Sequence, residues 1–229
     1  MNKVPENPSK NRTGDFSPLV VVSSLIAVLY ITSNVLAVKI ITVSGISLFD
    51  AGTITFPLAY MLSDVLSEVW GYRTARKVIF LSFSMNILFM IFTTLGIFLP
   101  YPGYMQETQD AFSTIFSYVP RIVISSLIAF LSGGLMNAKV LVKMRDKSRN
   151  GRFLWLRTIS SSLVGYLFDT VLFVLLAFWG TVPTGDIISM IVVQYFAKAA
   201  IEALLGTPLA YITIGYIRKN YGIEKIQQD

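Results

Sequence analysis

Six long apolar runs separated by short polar stretches dominate the chain. A helix crossing the hydrocarbon core of a bilayer takes about 20 largely apolar residues at about 1.5 Å each. Runs of that length fall at 17–41, 51–71, 75–99, 120–142, 154–179 and 187–217. They use well over half of the 229 residues and leave no room for a separate soluble domain. Only 14% of residues are DEKR while 54% are AVILMFWYC, against about 25% charged in soluble domains. That is too little charge to clothe a soluble fold of this size. The expected fold is all-α: a polytopic membrane protein with a tail at 1–16, a six-helix transmembrane domain at 17–218 and a second tail at 219–229.

The chain has no Cys and no His. A thiolate nucleophile, a Ser-His pair and a Cys/His zinc site are therefore excluded, as is a disulfide scaffold. No metal and no cofactor is expected. An enzyme built from this sequence would have to use an intramembrane acid dyad or metal-carboxylate chemistry, with Asp64 and Asp169 as its candidates.

Basic residues give the orientation. Lys3, Lys10 and Arg12 precede span 1, and Arg73, Arg76 and Lys77 lie between spans 2 and 3. Lys143, Arg145, Lys147, Arg149 and Arg152 lie between spans 4 and 5, and Arg218, Lys219 and Lys225 follow span 6. The alternate connections 42–50, 100–119 and 180–186 hold no Lys or Arg, although Asp50, Glu107, Asp110 and Asp186 lie there. Both termini are therefore expected on the cytoplasmic side. The KMRDKSRNGR run (143–152) reads as a topogenic loop rather than a nucleic-acid or lipid-headgroup site. Residues 1–16 lack the apolar core and cleavage site of a signal peptide.

Ionisable residues inside the spans carry the functional information. Each costs at least about 2.5–3.5 kcal/mol to insert, so each should face a partner or a wet cavity. Asp64 and Glu68 share one face of span 2 at i,i+4, with Glu68 also able to pair with Arg73 or Arg76. Pro57 should bend that helix. Gln194, Lys198 and Glu202 form a stripe on span 6, where Lys198 and Glu202 could make a self-contained ion pair, and Pro208 should kink the same helix. Asp169 sits near the middle of span 5, about 18 Å from Arg157 by helical rise. Nothing on its own helix can neutralise it. Asn34, Asn86 and Asn137 are neutral amides, Asn86 being expected to act as interhelical glue. Lys139 and Arg157 read as headgroup anchors, and Lys39 as either an anchor or a functional residue. Spans 4 and 5 share a Ser/Leu-rich echo (121–131 and 157–167), which reads as chance. The acidic excess predicts a wet chamber for a cationic or multi-donor ligand, the mark of a transport pathway.

The chain resembles the queuosine precursor transporter family, also described as a vitamin uptake transporter family. The resemblance runs through SNVLAVKI (33–40), FPLAYMLSDVLSEVWGYRTARKVI (56–79), LMNAKVLVKMR (135–145), FLWLRTISSSLVGYLFDTVLF (153–173), AFWG (177–180) and YFAKAAIEALLGTP (195–208). Tyr166 departs from it, standing where the family carries Gln. The resemblance implies import of deazaguanine precursors of the tRNA nucleoside queuosine, with a plasma or inner membrane location and no nucleic-acid partner. The binding residues expected on this basis are Asn34, Asp64, Glu68, Asp169, Gln194, Lys198 and Glu202, at a midplane cavity between spans 1, 2, 5 and 6. Tyr60, Trp70 or Tyr195 would stack on the base. A buried carboxylate accepts two parallel N–H donors of a guanine-like edge, and free carboxylates could couple uptake to a proton. Two other classes are kept open. One is the substrate-binding component of an ATP-driven (energy-coupling-factor type) vitamin importer, for which the docking stripe on span 1 (Ser23, Ala27, then Ile31) is poorly formed. The other is a structural or assembly subunit.

Overall fold

The computed structural model describes residues 17–147 and 154–221. The segments 1–16, 148–153 and 222–229 lie outside the described residues, and with them Lys3, Lys10, Arg12, Arg149, Arg152 and Lys225. So do the side chains of Asn137, Arg145, Lys147 and Arg157.

In chain order the elements are helix α1 (Pro18–Leu36), strands β1 (Ile40–Val43) and β2 (Ile46–Asp50), α2 (Gly52–Trp70) and α3 (Tyr72–Phe98). A short 3-10 turn (Gly103–Met105) leads into α4 (Gln106–Lys147), followed by α5 (Leu154–Phe178) and α6 (Thr184–Ile201). A π-helical turn (Glu202–Gly206) then joins α6 to α7 (Thr207–Tyr221). Four helical stretches among the described residues are long and apolar enough to cross a membrane: Pro18–Leu36, Tyr72–Phe98, Gly103–Met136 and Thr184–Tyr221. The protein is a multi-pass, helical membrane protein. Among the described residues a further, shorter apolar stretch of α5 is Ser162–Phe178, and α2 carries Asp64 and Glu68 within its 19 residues.

The fold is all-α as expected, with one local difference in the first span. The first apolar run does not stay helical to residue 41; α1 ends at Leu36 and an antiparallel β-hairpin follows. The reason is local. Ile40-Ile41-Thr42-Val43 is a β-branched run, and Ser44 and Gly45 both take positive φ (52° and 80°). That is the two-residue turn that matches the twist of paired strands. Val43 pairs with Ile46 beside the turn and Ile40 with Asp50 at the open end, with an irregularity between Ile41 and Thr42.

This hairpin does not lie over the bundle but runs into it. Ser47 Oγ donates to Asp186 Oδ2 at 2.8 Å, in the first turn of α6. Three residues later Asp50 is held by Gln194, eight positions along α6 from Asp186 and so about 12 Å deeper. Non-helical backbone at such depth is tolerated where protein covers it or a cavity adjoins it. Both conditions are met here, since Asp50 is only 1% exposed.

Other junctions have equally local causes. Gly71, at φ 83° and ψ 160°, is the single residue between α2 and α3, a conformation open to glycine because it has no Cβ. Arg73, Arg76 and Lys77 consequently stand on the first turns of α3 rather than in a loop. Helix α4 starts well ahead of the expected residue 120 and runs through Pro120. Its Gln109 Nε2 donates to the Ile97 carbonyl at the end of α3 at 3.0 Å. Arg121 caps the end of α5, its guanidinium donating to the carbonyls of Leu176 (2.7 Å) and Trp179. The kink expected at Pro208 takes the form of the π turn, because Pro208 has no N–H to continue the ladder.

Two apolar clusters flank the middle of the bundle. One gathers Tyr30, Phe56, Leu62, Val65, Leu66, Phe83 and Ile217 from α1, α2, α3 and α7. The other gathers Ile122, Phe173, Val174, Phe178, Ile187 and Met190 from α4, α5 and α6.

Candidate functional site

Between the two clusters lies a narrow polar cavity of about 20 Å³. Helix α1 gives it Ser33 and Asn34, the hairpin Asp50, and α2 Thr53 and Phe56. Ser126 comes from α4, Asp169 and Phe173 from α5, and Gln194 and Lys198 from α6. The walls stand so close that only about one water fits between them.

One buried ion pair spans the cavity. Lys198 Nζ donates to Asp169 Oδ2 at 2.9 Å, with both side chains under a tenth exposed. The same ammonium lies 5.5 Å from the Phe56 ring centre and 5.7 Å from that of Phe173. Two aromatic faces thus help to replace its lost water. This corrects two expectations. Lys198 pairs with α5 rather than with Glu202 on its own helix, and Asp169 is not without a cation. Helical spacing shows only neighbours on one helix, and this pair joins two.

A second polar group adjoins the first. The Gln194 amide nitrogen donates to Asp50 Oδ2 and to Thr53 Oγ1 (2.6 Å), and Thr53 Oγ1 donates to Asp50 Oδ2 (3.2 Å). Asn34 Nδ2 donates to Asn86 Oδ1 at 2.8 Å, and Asn86 Nδ2 to the Ser82 carbonyl at 3.3 Å. Asn86 therefore acts as the α1–α3 fastener expected of it and holds Asn34 at the cavity wall.

Of the residues singled out from sequence, the structure brings Asn34, Asp169, Gln194 and Lys198 to one cavity. It does not bring Asp64, Glu68 or Glu202. Asp64 is exposed and lies about 16 Å beyond Thr53 along α2. Half-buried Glu202 lies within electrostatic reach of it, beside Gly206, which packs near Met61 in the middle of α2. Glu68 is exposed and bonded to Arg218 of α7 at 2.7 Å, not to Arg73 or Arg76. The carboxylates therefore separate into a cavity pair, Asp50 and Asp169, and a group further along α2.

The expected stacking residues also lie elsewhere. Tyr60 packs among Phe56, Phe130 and Tyr166, with ring centres 5.0, 5.7 and 6.0 Å away. Trp70 packs on the first apolar cluster and Tyr195 on Phe196. The cavity's rings are Phe56 and Phe173. Sequence reasoning missed Asp50, Thr53, Ser126 and both of these rings. Asp50 did leave a signal: an acid at the entrance of a helix with Thr three residues on, which here bond side chain to side chain.

Residues 50–213 match the family described as "Putative vitamin uptake transporter". The matched region contains Asp50, Asp169, Gln194 and Lys198 but not Asn34. The chain is 32% identical over 181 residues to a Bacillus subtilis (strain 168) protein named "Probable queuosine precursor transporter", covering 79% of this chain and 78% of that one. It is 25% identical over 174 residues to the "Queuosine precursor transporter" of Escherichia coli (strain K12), with 73% and 74% covered. A Haemophilus influenzae relative, also named "Probable queuosine precursor transporter", is 29% identical over 130 residues, with 56% and 51% covered. No solved structure matches the chain.

Proposed function

The chain belongs to the vitamin uptake transporter family, and on that premise we propose that it imports queuosine precursors, 7-deazaguanine bases such as preQ0, preQ1 or queuine. The observation that carries the reading is the buried polar cavity between the two apolar clusters. A flat base entering this cavity can bring its polar edge against Asn34, Asp169, Gln194 and Lys198. The names of the relatives support the substrate class.

We further infer six helical crossings of a plasma or inner membrane, with both termini in the cytoplasm and the hairpin on the outer side. In this geometry the hairpin closes the cavity from outside. The closeness of its walls fits a closed state, so the base enters only when hairpin and helices part. Asp64 and Glu202 lie on the inner route, where carboxylates can take up and release a proton between access states. Glu68 and Arg218 mark the inner rim.

The test is the queuosine content of tRNA in cells that cannot make precursors, fed each base with and without this gene. Queuosine should appear only where gene and base are both present. Equal content without the gene would refute the assignment.

A further inference from the structure

Gln194 is 1% exposed, and its amide meets two partners of fixed chemistry. A carboxylate only accepts hydrogen bonds. The Thr53 hydroxyl has committed its hydrogen to Asp50 Oδ2 and can only accept from Gln194. The side of the Gln194 amide that faces this pair must therefore be its NH₂ group. Nitrogen and oxygen of an amide are assigned from such networks, and this network permits one assignment. Both amide hydrogens are then used, and the carbonyl Oε1 is left buried with no donor among the described residues. Ser126 Oγ, from a different wall of the same cavity, is likewise buried and unpartnered. Buried polar groups are almost always paired, and Lys198, the cation of the cavity, is taken by Asp169.

We propose that Asp50 is a positioning residue that locks Gln194 with its carbonyl oxygen turned into the cavity, where it accepts a ring N–H of the substrate while Ser126 donates to the adjacent carbonyl. The ligand class that satisfies both is a lactam edge, one N–H beside one C=O on a flat ring. The assignment rests on the transport reading above for its occupant. It differs from the expectation from sequence, in which a buried carboxylate itself accepts the N–H donors of the base. Here the carboxylate works through the amide.

The experiment measures binding of 7-deazaguanine and of its N1-methyl derivative to the purified full chain. The derivative keeps the carbonyl and loses the donor. Wild-type protein should bind the parent base roughly 10–100-fold more tightly, the effect of leaving one buried acceptor unpaired. Gln194→Ala should bring the ratio close to one. Asp50→Asn should do so as well, since an Asn there can donate and lets the Gln194 amide turn over. Thr53→Val, a milder change that keeps the carboxylate, should lower the ratio in part. An Asp50 with a purely structural role would weaken both ligands equally and leave the ratio intact, and that result overturns the proposal. A wild-type ratio near one, which needs no variant to fold, overturns it too. Wild-type protein that binds neither base would instead refute the transport reading, a distinct result.

Discussion

Lys198 of α6 bonds to Asp169 of α5 at 2.9 Å, across 29 positions of sequence and inside the bundle. Each charge is tolerable there because the other neutralises it. Removing one partner strands the other, at a cost of about 3–5 kcal/mol, whereas replacing both by apolar groups is far milder. Lys198→Met and Asp169→Asn should therefore lower the thermal midpoint of the purified protein as well as uptake. The Lys198→Met/Asp169→Leu double variant should recover most of the stability and none of the transport. Normal uptake by the double variant would remove this pair from the site.

The hairpin hangs on Ser47 and Asp186 in the first turn of α6. Ser47→Ala gives up one hydrogen bond to a charged group, about 1.5–3 kcal/mol. Amides of residues 40–50 should then exchange with solvent faster, while those of α2 do not change. Unaltered exchange in the hairpin would show that the bond is not its anchor.

Helices α4 and α5 touch at Gly133. A Cβ there would meet the Gly165 carbonyl oxygen at 2.8 Å and Asp169 Cβ at 2.9 Å, whereas one at Gly134 meets nothing within 4 Å. Gly133→Val should cost about 1–3 kcal/mol by overpacking and displace Asp169, so uptake falls with stability. Gly134→Val is the matched control and should cost little beyond the effect of a β-branched residue in a helix. Equal melting temperatures for the two would contradict the close approach.

Because the chain has no cysteine, single introduced thiols report sidedness directly. Ser44→Cys at the hairpin turn should react with a membrane-impermeant maleimide added to intact cells. Lys219→Cys should react only after permeabilisation. The reverse pattern would invert the orientation.

Long-range order was readable where one chemical rule suffices. Apolar length located the helices, and the cost of burying polar side chains marked Asn34, Asp169, Gln194 and Lys198 before any coordinates. What stayed hidden depends on which helices meet. Asp64 and Glu68 look as deep as Asp169 when residues are counted along one helix, yet both are exposed and neither lines the cavity. Asp50 looks like a loop acid because the hairpin before it has too few residues to register as a buried element. The β-branched 40–43 run and the Ser44-Gly45 turn are visible in the sequence, but residues 40–41 look like the end of an apolar span and 42–50 like a plain connection.

The corner at Gly71 bears on how cargo crosses. A single residue at φ 83° is all that joins α2 to α3, and that linkage holds too little slack for one helix to glide lengthwise past the other. The two must swing together, like the arms of a bracket turning on one pin. An elevator-style stroke of α2 against α3 is thus closed to this architecture, and a rocking one is open.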